Sequence, residues 1–306
     1  MRGVWVRDVS PLARKLADNP TIVGVIGTTC SSGTTRAAKV LTEAGMVLIS
    51  PSSTAASLTS PATHQAGFLR TIYNDKSQAR IVADFAFKAL GAATMAGIHD
   101  GTPYSQELVE AACETFVESG GTCVAIVQIQ SGQDVLPVLE QIAATNPDVL
   151  YYPLYTTDGI AVTTQASAAG LLNAALISSD GLLSSDFVSQ AGRNAEGMYI
   201  SGPSVLRIDP SFFDKYRTRY NEEPIAVYAA QAYDAAMMLF AAIEKVAVRA
   251  GGTIYIPRSA LRAELYATHQ FVGLSGMLNC SEFGDCAAPN IVIYQVRGSD
   301  FNPIFP

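Results

Sequence analysis

Hydroxyl and thiol side chains occupy every position from Thr28 to Thr35 except Gly33, in a stretch TTCSSGTT that follows the apolar run TIVGVIG and leads into TRAAKVLTEAG. Two kinds of chemistry could use such a loop. As a nucleophile array, Cys30 or Ser31 would need a base within hydrogen-bond reach. Of the three histidines, His64, His99 and His269, only His99 stands at the end of another apolar run. The chain carries no G-x-S-x-G, no H-E-x-x-H and no G-x-x-x-x-G-K-[ST] pattern to support catalysis or nucleotide binding. As an anion cradle, Ser31 and Ser32 stand where a helix begins, so backbone N–H groups and hydroxyls would converge on a carboxylate or phosphate. Capping alone needs one hydroxyl and leaves the rest of the run unexplained.

Three further residues follow apolar runs. Asp180, after AALISS, could pair with a cationic ligand group or cap the helix read from LLSSDFVSQAG. Tyr104 and Tyr155 follow two more such runs and could close over an organic ligand.

These residues need strands and helices to position them, and the pattern supplies both. Short buried-strand runs (TIVGVIG, MVLISP, TMAGIHD, TCVAIVQIQ, DVLYYP, AALISSD) alternate with amphipathic segments. That alternation predicts α/β structure with parallel sheets covered by helices on both faces. Four polar loops, TTCSSGTT, SSTAASLT, GTPYS and SSDG, fall where strands end, and ligands of open parallel sheets bind outside the carboxyl ends of strands. Past EGMYISGP the order changes to helices at about 209–221, 224–249 and from Arg258, then extended segments near 270–279 and 290–296. This predicts two lobes and more than one crossing of the chain. Only GVWVRDV could be a strand before the first helix, so the expected opening βα unit of the first lobe is missing.

With 306 residues the chain can bury roughly three quarters of its unfolded surface without metals or staples. Charged residues are 15%, the net charge is −7 and basic residues form no cluster, which argues against a nucleic-acid partner. The apolar stretch from Pro224 to Val246 contains Asp234 near its middle and reads as a core helix, not a membrane span. The N-terminus lacks the apolar core of a signal peptide. No cysteine pair has C-x-x-C spacing. Cys280 and Cys286 flank the turn-like SEFGD, where a disulfide would contribute about 2 kcal/mol, unless both are simply small buried residues. Cys113 and Cys123 fall on a helix and the following strand, where bridging is also open.

The segment VIGTTCSSGTTRAAKVLTEAGMVLISPSSTAASLT resembles type I periplasmic binding proteins of the leucine/isoleucine/valine-binding kind, in which a C-S-S-x-T loop precedes an I-S-P-x-x-T loop. GFLRTIYND, IHDGTPYSQEL, AEGMY, YAAQAYDA and LSGMLNCSEFGDC keep that family's order, so the resemblance runs from about Leu12 to the end of the chain. It implies two α/β lobes joined by a three-segment hinge, residues 1–93 with 206–274 and residues 94–205 with 275–306. It further implies capture of an amino acid, aliphatic or branched-chain, and delivery to an ABC transporter permease, with no cofactor, no metal and no catalysis. The expected location is periplasmic or extracellular, with lipid or membrane association also open, the native signal peptide being absent from this chain. By position, Ser31 and Thr54 resemble holders of the ligand carboxylate, while the Ser52 carbonyl, Thr54 and Asp180 resemble holders of its ammonium. Tyr104 and Tyr155 match aromatic positions on the second lobe's side. Two departures stand out: the acidic anchor is Asp where the best-known relative has Glu, and Cys30 lacks the upstream cysteine with which its counterpart pairs in some relatives. The alternative is a ligand-sensing domain of a receptor or regulator that binds an amide, urea or an aromatic acid.

Overall fold

The computed structural model describes residues 8–206, 208–224 and 226–305, which divide into two compact units. The hydroxyl-loop unit takes residues 8–74 and 205–289, and the seven-strand unit takes residues 75–204 and 290–305. The segment that would hold the strand GVWVRDV falls, at residues 3–7, outside the described residues.

In chain order, the first part of the hydroxyl-loop unit holds α1 (Ser10–Ala17), β1 (Gly24–Ile26), α2 (Ser31–Glu43), β2 (Val47–Ser50) and β3 (Phe68–Arg70). The seven-strand unit follows with α3 (Asp75–Asp84), β4 (Thr94–His99), α4 (Pro103–Glu118), β5 (Thr122–Gln128), α5 (Leu136–Ala143) and β6 (Val149–Tyr151). It continues with α6 (Thr156–Gln165), β7 (Ala175–Ser179), α7 (Ser185–Ala191) and β8 (Tyr199–Pro203). The chain returns to the hydroxyl-loop unit for α8 (Pro210–Tyr220), α9 (Ala229–Val246), β9 (Val248–Ala250), β10 (Thr253–Tyr255), α10 (Arg258–Tyr266), β11 (Phe271–Val272) and β12 (Met277–Leu278). It ends in the seven-strand unit with β13 (Ile291–Arg297) and β14 (Asp300–Phe305).

The hydroxyl-loop unit is built on the parallel sheet β1-β2-β3. Its central strand reads VLIS and is buried at every position, as expected where helices cover both faces. On one face Ala37, Ala38 and Leu41 of α2 pack with Ala13, Leu48 and Phe68. Ser31, Thr34, Ala38 and Leu41 recur at helical spacing and are all buried, so α2 turns one stripe onto the sheet. On the other face Val47, Ile49 and Leu69 meet Met238 and Leu239 of α9 and Leu261 and Leu265 of α10. Asp234, the charge inside the apolar run, lies buried in α9. It accepts hydrogen bonds from the backbone N–H groups of Leu274 and Ser275 and from the Ser275 hydroxyl. Among the described residues no helix is long and apolar enough to cross a membrane.

The seven-strand sheet has the order β14-β13-β8-β7-β6-β4-β5. From β8 to β5 every pairing is parallel, and β13 and β14 add an antiparallel edge. Its core joins Met95, Leu108, Val109, Phe116, Val149, Tyr151, Ile177 and Ile293. A disulfide links Cys113 of α4 to Cys123 of β5, and a second links Cys280 to Cys286 in the hydroxyl-loop unit.

The crossings differ from those read in the sequence. The chain leaves the first unit after Asn74, not after residue 93, because α3 packs on α4 and buries Ala79, Val82 and Ala83 in the seven-strand core. It leaves again after Ser204 and finally after Pro289, not after residue 274. Residues 275–289 stay behind because β12 pairs with β11 and Leu278 and Cys286 fill the α9/α10 face. The helix expected over 224–249 spans only Ala229–Val246, and residues 248–255 instead form the exposed antiparallel hairpin β9/β10.

Candidate functional site

β1 and β2 lie side by side, so the loops after them meet at the carboxyl end of the small sheet. Ser31 is the first residue of α2, and its Oγ accepts a hydrogen bond from the Ala55 N–H at 3.1 Å. The residue before it, Cys30, makes no side-chain cap, so the first N–H groups of α2 are not turned inward by a capping hydroxyl. Most of the other hydroxyls serve the two loops themselves. Ser50 and Ser53 donate to the Thr28 carbonyl, Ser52 donates to the Thr29 carbonyl, and Thr28 donates to the Cys30 carbonyl. Thr34 Oγ1 bridges Thr28 and Ser53, at 2.8 Å from each. Thr54 is the exception: it is fully buried, and its Oγ1 has no hydrogen-bond partner among the described residues. The loops are therefore a cross-linked platform that leaves one buried hydroxyl without a partner among the described residues and a helix N-terminus without a side-chain cap, an arrangement suited to an anion.

Beside this platform the same unit holds a cavity of about 780 Å³, reached by Thr29, Pro51 and Ser52 on one side and walled by Phe212, Tyr216, Tyr228 and Tyr233. The walls are mostly apolar, so an apolar ligand part can lie next to the polar loops.

In the seven-strand unit, β4, β6 and β7 are neighbours, and their carboxyl ends bring Tyr104, Tyr155 and Asp180 together. Tyr104 sits in the first turn of α4, where Thr102 caps the helix by accepting from the Ser105 N–H. Tyr155 is the residue before α6, and its ring centroid lies 5.2 Å from that of Tyr104. Asp180 is buried, and its Oδ1 accepts from Gln78 Nε2 at 2.8 Å and from the Tyr104 hydroxyl at 3.1 Å. It does not cap α7; Ser184 does so by accepting from the Phe187 N–H. A buried carboxylate at the carboxyl end of a parallel sheet is chemically suited to a cationic group, since an opposite charge offsets far more of the cost of burying it than a neutral hydrogen bond does.

Each triad is thus assembled within its own unit: Ser31, Ser52 and Thr54 in one, Tyr104, Tyr155 and Asp180 in the other. Gln78, whose amide also donates to Ser201 Oγ at 2.9 Å, is a member of this cluster that the sequence reading did not include. Its only signal is a buried amide in the first turns of α3, and that is indistinguishable in sequence from an ordinary exposed glutamine. Tyr151 was also missed. Burial, with the carboxylates of Asp75 and Asp180 nearby, holds its phenol well above the usual value, so it remains protonated beside Asp180.

The histidine named as the base for a nucleophile reading and the hydroxyl loop belong to different units. His99 belongs to the seven-strand unit, where its Nδ1 accepts from the Gly101 N–H at 3.2 Å, and burial lowers its pKa. Among the described residues no group of three or more His, Cys, Asp or Glu side chains could hold a metal ion.

Comparison with known proteins adds independent information. A family model described as periplasmic binding protein matches residues 8–300. The leucine-, isoleucine-, valine-, threonine- and alanine-binding protein of Pseudomonas aeruginosa is 26% identical over 282 residues, which are 90% of this chain and 72% of that protein. Among solved structures, a leucine-binding protein from Thermotoga maritima aligns with a TM-score of 0.86 at 25% identity, covering 97% of this chain and 83% of the other. A branched-chain amino acid substrate-binding protein from Streptococcus pneumoniae, solved with isoleucine, shares the fold with a TM-score of 0.81 at 22% identity, covering 97% of this chain and 84% of its own.

Proposed function

The chain belongs to the periplasmic binding protein family, and from that premise we propose that it captures an α-amino acid, aliphatic or branched-chain, outside the cytoplasm and delivers it to the permease of an ABC transporter. The observation that carries this reading is the opposite chemistry of the two preorganised clusters. The α2 N-terminus with Ser31 and the uncommitted hydroxyl of Thr54 is suited to a carboxylate. The buried Asp180 is suited to an ammonium. A zwitterionic amino acid carries one group for each. The Ser52 carbonyl is a further acceptor for the ammonium, and Tyr104 and Tyr155 form the aromatic wall on Asp180's side.

Each charge-assisted hydrogen bond is worth about 1.5–3 kcal/mol. Three or four of these, with burial of an aliphatic side chain, offset the costs of ordering and closure and leave about −8 kcal/mol, a micromolar Kd. The function is binding and release, with no covalent step, and the location is periplasmic or extracellular. The names of the relatives, which specify leucine, isoleucine and valine, support the ligand class.

The test is calorimetric titration with L-leucine, L-isoleucine, L-valine and L-alanine, and with 4-methylpentanoate, benzoate and urea as ligands that lack one or both charged groups. Micromolar binding of at least one aliphatic amino acid, with the others weaker by tenfold or more, is the expected result. Binding of benzoate or urea with no response to any amino acid would refute the assignment.

A further inference from the structure

Arg70, at the end of β3, is fully buried, and a buried guanidinium is tolerated only where its donors are met. Its Nε donates to Asp285 Oδ1 at 2.5 Å, Nη1 to the carbonyls of Ser53 and Ala55 at 3.2 and 2.9 Å, and Nη2 to Thr59 Oγ1 at 2.5 Å. The two carbonyls are those on either side of Thr54, whose buried hydroxyl has no partner among the described residues. Arg70 therefore grips the backbone before and after the buried Thr54 side chain of the platform.

What grips Arg70 is the turn closed by Cys280 and Cys286. Asp285 lies inside that turn. Ser281 and Asp285 bond across it, with Ser281 N–H donating to the Asp285 carbonyl at 2.7 Å and Asp285 N–H donating to Ser281 Oγ at 3.1 Å. The turn is also tied to β3 by backbone bonds, from Arg70 N–H to the Gly284 carbonyl and from Cys286 N–H to the Arg70 carbonyl. Gly284 makes this approach feasible: at φ +94°, a Cβ there would lie 2.2 Å from the Phe68 carbonyl. A continuous set of bonds thus runs from the disulfide turn through Asp285 and Arg70 to the segment Ser53–Ala55.

We infer that Arg70 and Asp285 are positioning residues for Thr54, and that the Cys280–Cys286 turn sets ligand affinity by holding them in place. The inference rests on the proposed function in so far as Thr54 meets the ligand. Its mechanical part, the dependence of the 53–55 backbone on the turn, stands apart from that reading.

Two measurements separate these parts. The first is hydrogen exchange of the Asp285→Asn variant and of the paired Cys280→Ser, Cys286→Ser variant, both milder than removing a buried arginine. The Ala55 amide, bonded to Ser31 Oγ, is expected to exchange at least tenfold faster, while amides in β2 keep their protection. Unchanged exchange at Ala55 would overturn the inference. The second is a double-mutant cycle on L-leucine affinity with Asp285→Asn and Thr54→Val. Asp285→Asn alone is expected to weaken binding about tenfold, and much less once Thr54 is gone, because coupled residues are not additive. Full additivity would also overturn it. If the unmodified protein binds no amino acid, the functional reading fails, while the exchange result still decides whether the turn positions the loop.

Discussion

Replacing Asp180 by asparagine keeps the size of the side chain and removes its charge. Within the protein the cost is small. The asparagine can still present an oxygen to Gln78 Nε2 and to the Tyr104 hydroxyl. Both donors have other acceptors as well, Ser201 for Gln78 and Ser179 for Tyr104. Neither of these two donors is stranded, so their share of the change in folding stability should stay within about 1 kcal/mol. For a bound amino acid the loss is larger, because the carboxylate–ammonium charge pair is removed, at a cost of up to the full worth of a charge-assisted bond, about 1.5–3 kcal/mol. At 1.4 kcal/mol per decade, that is about a tenfold to hundredfold rise in Kd. The discriminating assay is paired calorimetry with L-leucine and 4-methylpentanoate, which differ only in the amino group. Leucine should weaken by that factor, and 4-methylpentanoate should bind unchanged or more tightly, since a carboxylate facing an apolar group has been neutralised. Equal losses for both ligands, with an unchanged melting temperature, would refute Asp180 as the ammonium site.

Two further outcomes are expected. Thr54→Val removes a buried hydroxyl that has no partner among the described residues, so the melting temperature should hold or rise while L-leucine affinity falls about tenfold, read by thermal unfolding and calorimetry on the same sample. His99 is buried and its folded pKa lies below the ordinary 6.5, so the unfolded chain binds its proton more readily. Its contribution to stability is therefore present above pH 6.5 and is lost as pH falls through the folded value, and urea titrations of His99→Gln should show a flatter pH dependence in that window.

The parallel sheets were legible in the sequence because buried strands read as short apolar runs and the helices between them alternate faces. The loops that end those strands could be located for the same reason, which is why Ser31 and Asp180 could be singled out, whereas Thr54 came only from the family resemblance. The crossing points were not legible. The helix after Asn74 has an apolar stripe that fits any sheet, and only the packed core reveals that Ala79 and Val82 join Leu108 and Phe116. Nor could composition distinguish the hydroxyls that tie the loops together from the one left over: Ser50, Ser53, Thr28 and Thr34 satisfy one another or nearby carbonyls, and Thr54 does not. Arg70 gave no signal at all, because a buried arginine and an exposed one are the same letter.

The two units also differ in when they can form during synthesis. The seven-strand unit draws β4 to β8 and their helices from one uninterrupted stretch, residues 75–204, and the C-terminal β13 and β14 complete it by adding two strands on one side and Ile293 to its core. The hydroxyl-loop unit emerges first and must wait for α9 and α10, which begin about 160 and about 190 residues after the end of β3, before Val47, Ile49 and Leu69 are covered. At about 5–20 residues per second, that leaves β2 with one bare face for on the order of ten seconds or more. The later-translated unit can thus be the earlier to fold, and the loop that carries Ser31 and Thr54 acquires its final shape only when the turn at Cys280–Cys286 arrives to hold Arg70.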